Sequence, residues 1–328
     1  MNDLTKLIVI TSCTNRKKNT EYGPRRLGLY SSTRLSGRSQ QWLQALQEPS
    51  GEVVPARELY AGDHWSVIKS LNGLVGSTVD LQLWIVSAGY GLISESTSVS
   101  TYSCTFASGQ DDSIHRGVIT VSKDANSRQW WKELQRWEGP EPGQPRSVED
   151  LVSQNPETTL LVVLSQEYLK AIQDDLKKAL EAMKNPDRFL IVSVGTERIH
   201  DQLLRKHLLP GDARLQQLFA SDPSSGRTTM VSLNAKVARR MIEDRASVPL
   251  ELAAQKQRFR DWLDELKPLP KFDRTPMTEA QVKLFIREEM KANPKTSATQ
   301  LLRRLRDNGR ACEQRRFRQI FDDVKEEE

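Results

Sequence analysis

Four short runs of apolar and β-branched residues place the tightest limit on how this chain folds. They lie at residues 7–11 (LIVIT), 83–87 (LWIVS), 160–164 (LLVVL) and 189–193 (FLIVS). A strand that is covered on both faces is apolar throughout, so each run predicts a strand of a parallel sheet. Helical patterns separate them, at residues 33–47, 64–72, 127–136 and 166–183. We predict an α/β fold, a mostly parallel central sheet with helices on both faces.

Two further features belong to the same part of the chain. Residues 228–232 (TTMVS) predict a weaker additional strand, followed by an Ala/Arg-rich helix from Asn234 to Arg245. Residues 139–145 contain two glycines and three prolines, which cannot continue a helix and predict a surface loop.

The sequence divides at a proline-containing stretch. Residues 266–272 (LKPLPKF) predict an extended linker, after which three amphipathic helices follow at residues 278–292, 297–307 and 311–324. Thr278 and Ser297 have the sequence pattern of helix N-caps. The predicted organisation is an α/β domain at residues 1–266, a linker at 267–276 and a three-helix basic unit at 277–328.

Composition excludes several classes of protein. A chain of 328 residues can bury a large core without metal or disulfide support. Its three cysteines form no CxxC pair and its four histidines show no ligand spacing, so we expect neither a metal nor a cofactor. No apolar run approaches the roughly 20 residues that cross a bilayer, and no secretory signal is visible. We expect a cytoplasmic protein that has no membrane partner.

Basic charge is concentrated in one short stretch of the predicted three-helix unit. The chain carries a formal net charge of +5, and seven arginines lie between residues 303 and 318. A charged helix face is often only solvated. A three-helix unit with a basic last helix also resembles helix-turn-helix geometry, which favours phosphate contact. We predict contact with DNA phosphates through Arg304, Arg315, Arg316 and Arg318.

Ligands of such sheets bind beyond the carboxyl ends of the strands, where three segments carry possible site residues. Residues 12–18 (SCTNRKK) follow the first run, and three successive cations there can hold a phosphate. Residues 55–65 (PARELYAGDHW) combine two carboxylates, a histidine and two large aromatics. Residues 87–93 (SAGYGLI) place a tyrosine between two glycines after the second run, which predicts a sharp turn.

The first two segments also have a plainer interpretation. The first is a polar loop with solvated lysines, and in the second Leu59 and Trp65 belong to the core while Asp63 caps the next helix. After the third run, Ser165 fits a helix N-cap first and a phosphate ligand second.

In this order, the three segments resemble the motifs of a bacterial family known chiefly as a domain of unknown function. That family has an SCxxKK loop, an AxxLYxG segment and an SAxYGL strand end, and the resemblance is best over residues 7–115. Such families are similar to the uracil-DNA-glycosylase-like α/β fold. Together with a basic helical tail, the resemblance implies an antiphage DNA glycosylase that excises α-glucosylated hydroxymethylcytosine from T-even phage DNA.

The resemblance places the residue that positions water or stabilises the sugar cation at Asn15. The reaction builds positive charge on the sugar and negative charge on the departing base, and the base must leave the helical stack. Candidate catalytic residues are Asn15, Glu58 and Asp63. Candidate residues for binding the base and sugar are Ser12, Cys13, Tyr60, Ser87, Gly89, Tyr90, Tyr102 and Thr105. Candidate phosphate ligands in this domain are Arg16, Lys17, Lys18 and Ser165.

The expected partner is double-stranded DNA that carries modified bases. The Ser/Thr-rich residues 94–105 supply hydroxyls for a glucosylated base. Two alternatives remain open at the level of sequence. One is a nucleotide-sensing DNA-binding protein without catalysis. The other is an enzyme that transfers a base or deoxyribose, because the same charge stabilisation serves hydrolysis and transfer.

Overall fold

The chain divides into two compact units, Met1–Lys267 and Pro268–Glu328. The structure is a computed structural model, and it describes residues 5–48, 51–119, 122–195, 199, 201–220, 229–269, 273–294 and 296–327, without the side chain of Arg315. In this part of the chain no helix is long and apolar enough to cross a membrane.

The first unit is built on a five-stranded mixed sheet. Its strands are β1 (Thr5–Ser12), β3 (Val79–Ser87), β4 (Gly91–Ser94), β6 (Thr159–Val163) and β7 (Phe189–Val192). They lie in the order β4-β3-β1-β6-β7, and all neighbours are parallel except β3 and β4. A separate antiparallel pair joins β2 (Val53–Pro55) to β5 (Ser98–Ser100). The predicted α/β class and mostly parallel sheet are therefore confirmed, and β4 adds an antiparallel edge strand.

Helices flank this sheet. They are α1 (Leu35–Gln47), α2 (Ala56–Leu59), α3 (Asp63–Ser70), α4 (Lys123–Arg136), α5 (Val148–Ser153), α6 (Gln166–Ala171), α7 (Gln173–Ala182), α8 (Gln202–His207), α9 (Met230–Glu243) and α10 (Leu252–Glu265). Short 3-10 helices lie at Leu27–Leu29, Leu71–Leu74, Pro186–Arg188 and Ala213–Phe219. The predicted helix over residues 166–183 is two helices, α6 and α7, which are separated at Ile172.

The apolar runs form the centre of the core. Ile8, Val9 and Ile10 of β1 have no exposed surface, because β3 and β6 pair with β1 on its two sides and helices cover the sheet. All five residues of β6 are buried as well. The parallel register brings the ends of β1 and β3 together, with Ser12 opposite Val86. The segments after these two strands therefore leave the sheet side by side.

The predicted strand at residues 228–232 is wrong. Thr228 lies outside the described residues, Thr229 caps α9, and the helix begins at Met230. The Thr229 side chain accepts a hydrogen bond from the Ser232 amide, and the Ser232 side chain accepts one from the Thr229 amide. This reciprocal pair is a capping box, which fixes the start of a helix. Val231 is exposed. The apolar stripe that continues through Leu233, Val237 and Met241 outweighs the local β-propensity.

The Gly/Pro-rich loop that follows α4 is attached to the sheet by Arg146. Its guanidinium donates to the backbone carbonyls of Tyr90 (2.6 Å), Leu92 (2.7 Å), Leu134 (3.2 Å) and Trp137 (3.0 Å). Burial lowers the pKa of Arg146 to about 10. One side chain thus binds the loop, helix α4 and the turn between β3 and β4.

The second unit contains three helices, α11 (Glu279–Ala292), α12 (Ala298–Asp307) and α13 (Gln314–Glu327). Thr278 and Ser297 cap α11 and α12 with complete capping boxes. Residues Thr275–Pro276 (β8), within the stretch expected to be linker, pair in parallel with Arg310–Ala311 (β9); residues 270–272 of that stretch lie outside the described part. The apolar residues expected on the inner faces are buried: Val282, Phe285, Ile286, Leu301, Leu302, Leu305, Phe317, Ile320 and Phe321.

Candidate functional site

The first two sequence motifs are joined by backbone hydrogen bonds. The Lys18 amide donates to the Leu59 carbonyl and the Ala61 amide donates to the Arg16 carbonyl, both at 3.0 Å. Between these two bonds, Lys17 pairs with Tyr60 in an isolated antiparallel bridge. The loop after β1 and the segment after α2 are therefore one piece of structure at the carboxyl end of the sheet.

The third motif forms a tight turn at the end of β3. The Ser87 side chain accepts from the amides of Gly89 (3.2 Å) and Tyr90 (2.9 Å), and Trp42 Nε1 donates to the Gly89 carbonyl at 2.8 Å. A Cβ atom at Gly89 would lie 2.5 Å from the ring of Tyr102, so only glycine fits. Gly91 has a φ of +78°, which also favours glycine. Both glycines of the motif thus have a structural cause.

Hydroxyl groups connect the third motif to the other two. The Tyr102 hydroxyl lies 2.8 Å from Ser87 Oγ and 3.0 Å from the Tyr60 hydroxyl. The Cys13 thiol, directly after β1, lies 3.1 Å from the Tyr168 hydroxyl. Burial raises the pKa of Tyr60, Tyr102 and Tyr168 well above the usual range, so all three stay protonated and can donate hydrogen bonds.

Lys17 lies inside this group of residues and not on the surface. It is 6% exposed, and its ammonium lies 4.1 Å from the centre of the Tyr102 ring and 5.9 Å from that of Tyr60. Its Nζ donates to the Thr14 carbonyl at 3.1 Å. We call the buried set the carboxyl-end cluster: Cys13, Lys17, Tyr60, Ser87, Tyr102 and Tyr168.

A rim of exposed polar residues surrounds the same loop. Asn15, Arg16, Lys18, Glu58 and Asp63 are all exposed. The Lys18 ammonium and the Glu58 carboxylate form an ion pair at 2.9 Å, and this hydrogen bond lowers the pKa of Glu58. The three predicted phosphate ligands of this loop therefore separate: Arg16 and Lys18 face outward, whereas Lys17 faces the tyrosines. We use the name rim for these five residues.

Four of the predicted base and sugar ligands make hydrogen bonds within the protein. Tyr90 is 3% exposed and donates to the Ser100 carbonyl at 3.1 Å. The Ser12 carbonyl accepts from Trp65 Nε1 at 3.2 Å. Thr105 is 4% exposed, and its Oγ1 accepts from the Ala107 amide at 3.1 Å. The Gly89 carbonyl is taken by Trp42.

The Ser/Thr-rich run after the turn is also tied to its neighbours. Thr97 donates to Gln144 Oε1 at 3.0 Å and Thr101 donates to the Asn19 carbonyl at 2.7 Å. Ser103 donates to Asp112 Oδ2 at 2.6 Å. These hydroxyls hold the run in place against the loop after β1 and against residues 111–113.

Two predicted caps differ in detail. Gly62, and not Asp63, is the N-cap of α3. Asp63 lies in the first turn, where its negative charge interacts favourably with the positive end of the helix dipole. Ser165 occupies the N-cap position of α6, yet its side chain makes no capping bond and is exposed. Residues 196–198, which follow the last parallel strand, lie outside the described residues.

Two further residues belong to this region, Tyr168 and Asp112, which the sequence suggests only as neighbours of Ser165 and of Tyr102. Tyr168 lies on α6, and its position three residues after Ser165 was the available signal, because parallel strands end at one edge of the sheet. Asp112 accepts from Ser103, from the Gly28 amide (2.9 Å) and from Arg26 Nε (3.4 Å). No sequence pattern indicates that Asp112 holds three separate segments.

The predicted DNA-binding arginines of the second unit differ in their surroundings. Arg304, Arg316 and Arg318 are all exposed; Arg304 also pairs with Glu289 at 2.6 Å, and Arg318 pairs with Asp322 at 3.1 Å. The side chain of Arg315 lies outside the described part. Arg303 is the most exposed partner of an ion pair in this unit, with 86% of its side chain accessible and Asp307 at 4.0 Å.

The geometry defines a class of protein: an α/β protein whose polar and aromatic side chains gather where parallel strands β1, β3 and β6 end. Hydrogen-bond donors of the cluster can stabilise negative charge, and the rim offers both a carboxylate and cations to a polar ligand. The sequence matches no family model, no curated protein and no solved structure.

Proposed function

We propose that this chain is a DNA N-glycosylase of the uracil-DNA-glycosylase-like class that excises a modified base, α-glucosyl-hydroxymethylcytosine, from phage DNA and leaves an abasic site. The observation that supports it best is the convergence of the three motifs at one edge of the sheet. These motifs are the ones in which the sequence resembles the bacteriophage replication inhibition DNA glycosylase.

The rim supplies groups suited to the developing sugar cation. Asn15 lies in the loop after β1, and Glu58 and Asp63 lie in the segment that is hydrogen-bonded to this loop. In the proposed reaction one of the two carboxylates stabilises positive charge on the sugar, and Asn15 orients the attacking water. Glu58 is held ionised by Lys18, as this role requires.

The neighbouring cluster supplies donors for the departing base. The hydroxyls of Tyr60 and Tyr102 remain protonated because burial raises the pKa of both. A protonated hydroxyl that is fixed by a second hydroxyl can stabilise developing negative charge without reorganisation. Both tyrosines have no exposed surface, so a flipped base at the rim would meet the cations there directly and the hydroxyls only after the cluster opens.

Phosphate contact falls to exposed cations in both units. Arg16 and Lys18 are exposed beside the cluster, and Arg303 and Arg316 are exposed in the second unit. Neutralising phosphates releases counterions, so this contribution to binding must weaken as salt increases.

The decisive experiment incubates the purified full-length chain with unmodified, hydroxymethylated and α-glucosyl-hydroxymethylated DNA. The products to measure are free base, by mass spectrometry, and alkali-labile abasic sites. We expect base release from the glucosylated DNA alone. Salt-sensitive binding without base release from any of the three substrates would overturn the proposal in favour of a non-catalytic DNA-binding protein, and base exchange with an added nucleoside would favour a transferase.

Variants of the rim test the assigned roles. Asn15→Ala and Asp63→Asn should slow base release by about 100-fold if they act in the chemical step, a size typical of lost transition-state stabilisation. Glu52→Gln is the matched control for Glu58→Gln, because Glu52 is an exposed glutamate just before β2. If Asn15→Ala, Asp63→Asn and Glu58→Gln all release the base at the wild-type rate, the rim takes no part in the mechanism.

A further inference from the structure

A polar cavity of about 510 Å³ lies beside the start of α1. One of its walls is the stretch that joins the 3-10 helix at Leu27–Leu29 to α1, and residues 116 and 117 belong to the other. None of its lining residues belongs to the carboxyl-end cluster or to the rim. The side chains that line it are those of Tyr30, Ser31, Ser32, Thr33, Arg38 and Arg116.

Arg38 places a buried positive charge in the wall of this cavity. It is 1% exposed, and its Nη1 donates to the carbonyls of Ile114 (3.1 Å) and Arg116 (2.6 Å). Its Nη2 donates to the Leu27 carbonyl at 3.3 Å. All three acceptors are neutral, and among the described residues no carboxylate lies within 4.0 Å of the guanidinium. Buried charges in proteins are normally paired, so the charge of Arg38 lacks its usual counterpart.

Arg146 shows what a purely structural arginine looks like in this chain. It also donates only to backbone carbonyls, but each of its three guanidinium nitrogens has an acceptor. The Nε of Arg38 is buried and has no acceptor in the part of the chain that the structure describes. A buried donor without an acceptor costs stability, so holding three carbonyls does not fully account for Arg38.

Arg116 adds an exposed cation to the same cavity. Its side chain is 56% accessible and pairs with Asp111 at 3.0 Å. Burial lowers the pKa of Arg38; the charge of Arg116 acts in the same direction, and the charges of Cys104 and Asp112 oppose it. Because the two guanidinium groups repel each other, an anion that binds beside both of them stabilises both.

The start of α1 attracts an anion as well. Residues 31–33 lead directly into this 13-residue helix, and its N-cap residue, Arg34, makes no side-chain capping bond. The first turn therefore offers backbone amides and the positive end of the helix dipole to a ligand. Ser31 and Thr33 are exposed, and no hydrogen-bond partner within the described ranges reaches either hydroxyl. The Ser32 hydroxyl instead donates to the Arg34 carbonyl at 2.8 Å.

The carboxylates of this region are already paired. Asp111 pairs with Arg116, and Asp112 pairs with Arg26 at 3.4 Å. Against these two carboxylates, residues 26–38 and 111–116 contain four arginines: Arg26, Arg34, Arg38 and Arg116. Positive charge therefore predominates around the cavity, which favours an anionic ligand.

Exposed apolar side chains adjoin this polar cavity. Leu29, next to Tyr30, is 63% exposed, and Ile119 is 82% exposed. The Ile119 amide donates to the Thr33 carbonyl at 3.1 Å, so Ile119 lies beside a cavity wall. A ligand with an anionic group and a planar, partly apolar ring can contact both kinds of surface. A nucleotide has both parts.

We propose that this cavity binds the phosphate group of a nucleotide. Arg116 and the hydroxyls of Ser31 and Thr33 contact the phosphate, and Arg38 supplies a positive charge from the wall behind them. The phosphate belongs either to a free deoxynucleotide or to bound DNA, and the recognising chemistry is the same. The inference does not depend on the proposed function, because the cavity shares no residue with the cluster or the rim.

Nuclear magnetic resonance of the full-length chain tests this inference directly. Deoxycytidine 5′-monophosphate and inorganic phosphate are the two probes. We expect the phosphorus resonance of each probe to shift in a saturable way as protein is added. We also expect the amide resonances of Ser31, Thr33 and Gly117 to move. Changes that do not saturate, or amide shifts confined to the rim, would overturn the inference.

Variants of the exposed residues identify the ligands. Arg116→Gln should weaken binding of deoxycytidine monophosphate about tenfold, the effect of losing one charge-assisted hydrogen bond. Arg136→Gln is the matched control, because Arg136 is also exposed and its ion pair with Glu133 has the same length of 3.0 Å. The double variant Ser31→Ala, Thr33→Ala should also weaken binding. Wild-type affinity in both Arg116→Gln and the double variant would overturn the inference.

Arg38→Gln tests the buried charge. We expect this variant to lose measurable binding of both probes if its circular dichroism spectrum is that of the wild type. The guanidinium holds three carbonyls, so the variant can fail to fold. In that case Arg116→Gln and the double variant decide the matter, because their side chains are exposed.

Fluorescence anisotropy with duplex DNA separates the two sources of the phosphate. If the cavity holds a phosphate of bound DNA, deoxycytidine monophosphate at constant ionic strength should compete with DNA. Arg116→Gln should then reduce the slope of log K against log salt concentration by about 1. If the cavity takes a free nucleotide, DNA affinity should stay the same while the resonance shifts persist.

The two proposals fail independently. Binding of deoxycytidine monophosphate in the cavity without base release from any modified DNA would contradict the glycosylase and keep this site. Base release from glucosylated DNA, with no binding of either probe and an unchanged salt slope in Arg116→Gln, would keep the glycosylase and remove this site.

Discussion

Ser87 Oγ lies 2.8 Å from the hydroxyl oxygen of Tyr102 and at the same time accepts the amide protons of Gly89 and Tyr90. Ser87 has no exposed surface. One small side chain therefore closes the turn after β3 and fixes the aromatic group that covers Lys17.

Ser87→Ala should lower the free energy of unfolding by about 2 to 4 kcal/mol, because it leaves two buried amides without an acceptor. Urea denaturation measures the change. Ser98→Ala, at an exposed serine of β5, should change stability by less than about 0.5 kcal/mol and serves as the control. Equal stability of the two variants would contradict the role assigned to Ser87.

His64 predicts a loss of stability in mild acid. It is 5% exposed, its Nε2 lies 2.9 Å from Thr11 Oγ1, and burial lowers its pKa to about 4, partly opposed by a hydrogen bond to the Val231 backbone. Because the unfolded chain binds the proton at a higher pH than the folded chain does, stability is complete above pH 6.5 and decreases as the pH falls towards 4.

The change expected from His64 alone is a loss of about 2 kcal/mol between pH 7 and pH 5. His64→Gln keeps a polar side chain but cannot titrate. The free energy of unfolding of this variant should therefore change by about 2 kcal/mol less than that of the wild type between pH 7 and pH 5. Chemical denaturation at the two pH values measures both proteins. Identical pH dependence in the two would show that His64 is protonated equally in both states.

Asp175 acts in the opposite direction. It is 4% exposed and accepts from Trp131 Nε1 and from the amides of Val148 and Glu149, each at 3.0 Å. Burial raises the pKa of Asp175 to about 6, and these hydrogen bonds limit the increase. The folded protein therefore binds the proton more tightly, and stability falls as the pH rises from about 4 to 6.

In the wild type, Asp175 should make the free energy of unfolding about 1 kcal/mol lower at pH 7 than at pH 5, and Asp175→Asn should abolish this difference. It should also lower stability at both pH values, because an amide group cannot accept from all three donors. Asp174→Asn is the control, since that partly exposed neighbour forms ion pairs with Arg128 and Lys132. If Asp174→Asn changes the pH dependence of the free energy of unfolding and Asp175→Asn does not, the buried carboxyl is not the source of that dependence.

The second unit should supply part of the salt dependence of DNA binding. Arg303→Ala and Arg316→Ala should each reduce the slope of log K against log salt concentration by about 1, the contribution of one phosphate contact. Lys325→Ala, at the other end of α13, is the control. Fluorescence anisotropy with unmodified duplex DNA measures the slope, and unchanged slopes for both arginine variants would place the DNA elsewhere.

The sequence predicts the central strands well because apolar character is continuous there and the sheet covers both faces of each strand. It fails at residues 229–232, where Thr229 and Ser232 form a capping box and an apolar stripe farther along the chain decides for a helix. Strand β4 was missed because it is short and follows directly from the turn at Gly91.

For the site, the order of the motifs indicates which segments meet, since parallel strands end at one edge of the sheet. It does not indicate which side chains turn inward. Arg16, Lys17 and Lys18 look alike as a run of cations, and only the backbone bridge between Lys17 and Tyr60 directs the middle one into the cluster. Likewise, the two glycines around Tyr90 indicate a turn without showing that Tyr102 and Arg146 fill the space beside them.

The attachment of the Gly/Pro-rich loop by Arg146 has a consequence for engineering. Arg146 follows the last residue of the loop, and its guanidinium donates to the Trp137 carbonyl at the start of the loop and to the Leu92 carbonyl in the sheet. A Cβ atom at Gly143 would meet no atom within 4 Å. A peptide tag or a fluorescent reporter inserted into this loop must therefore keep Gly143 itself, whose φ is +85°, and the hydrogen bond that Thr97 donates to Gln144. A deletion that shortens the loop would instead pull the arginine from the Tyr90 carbonyl and loosen the turn from which the site is built.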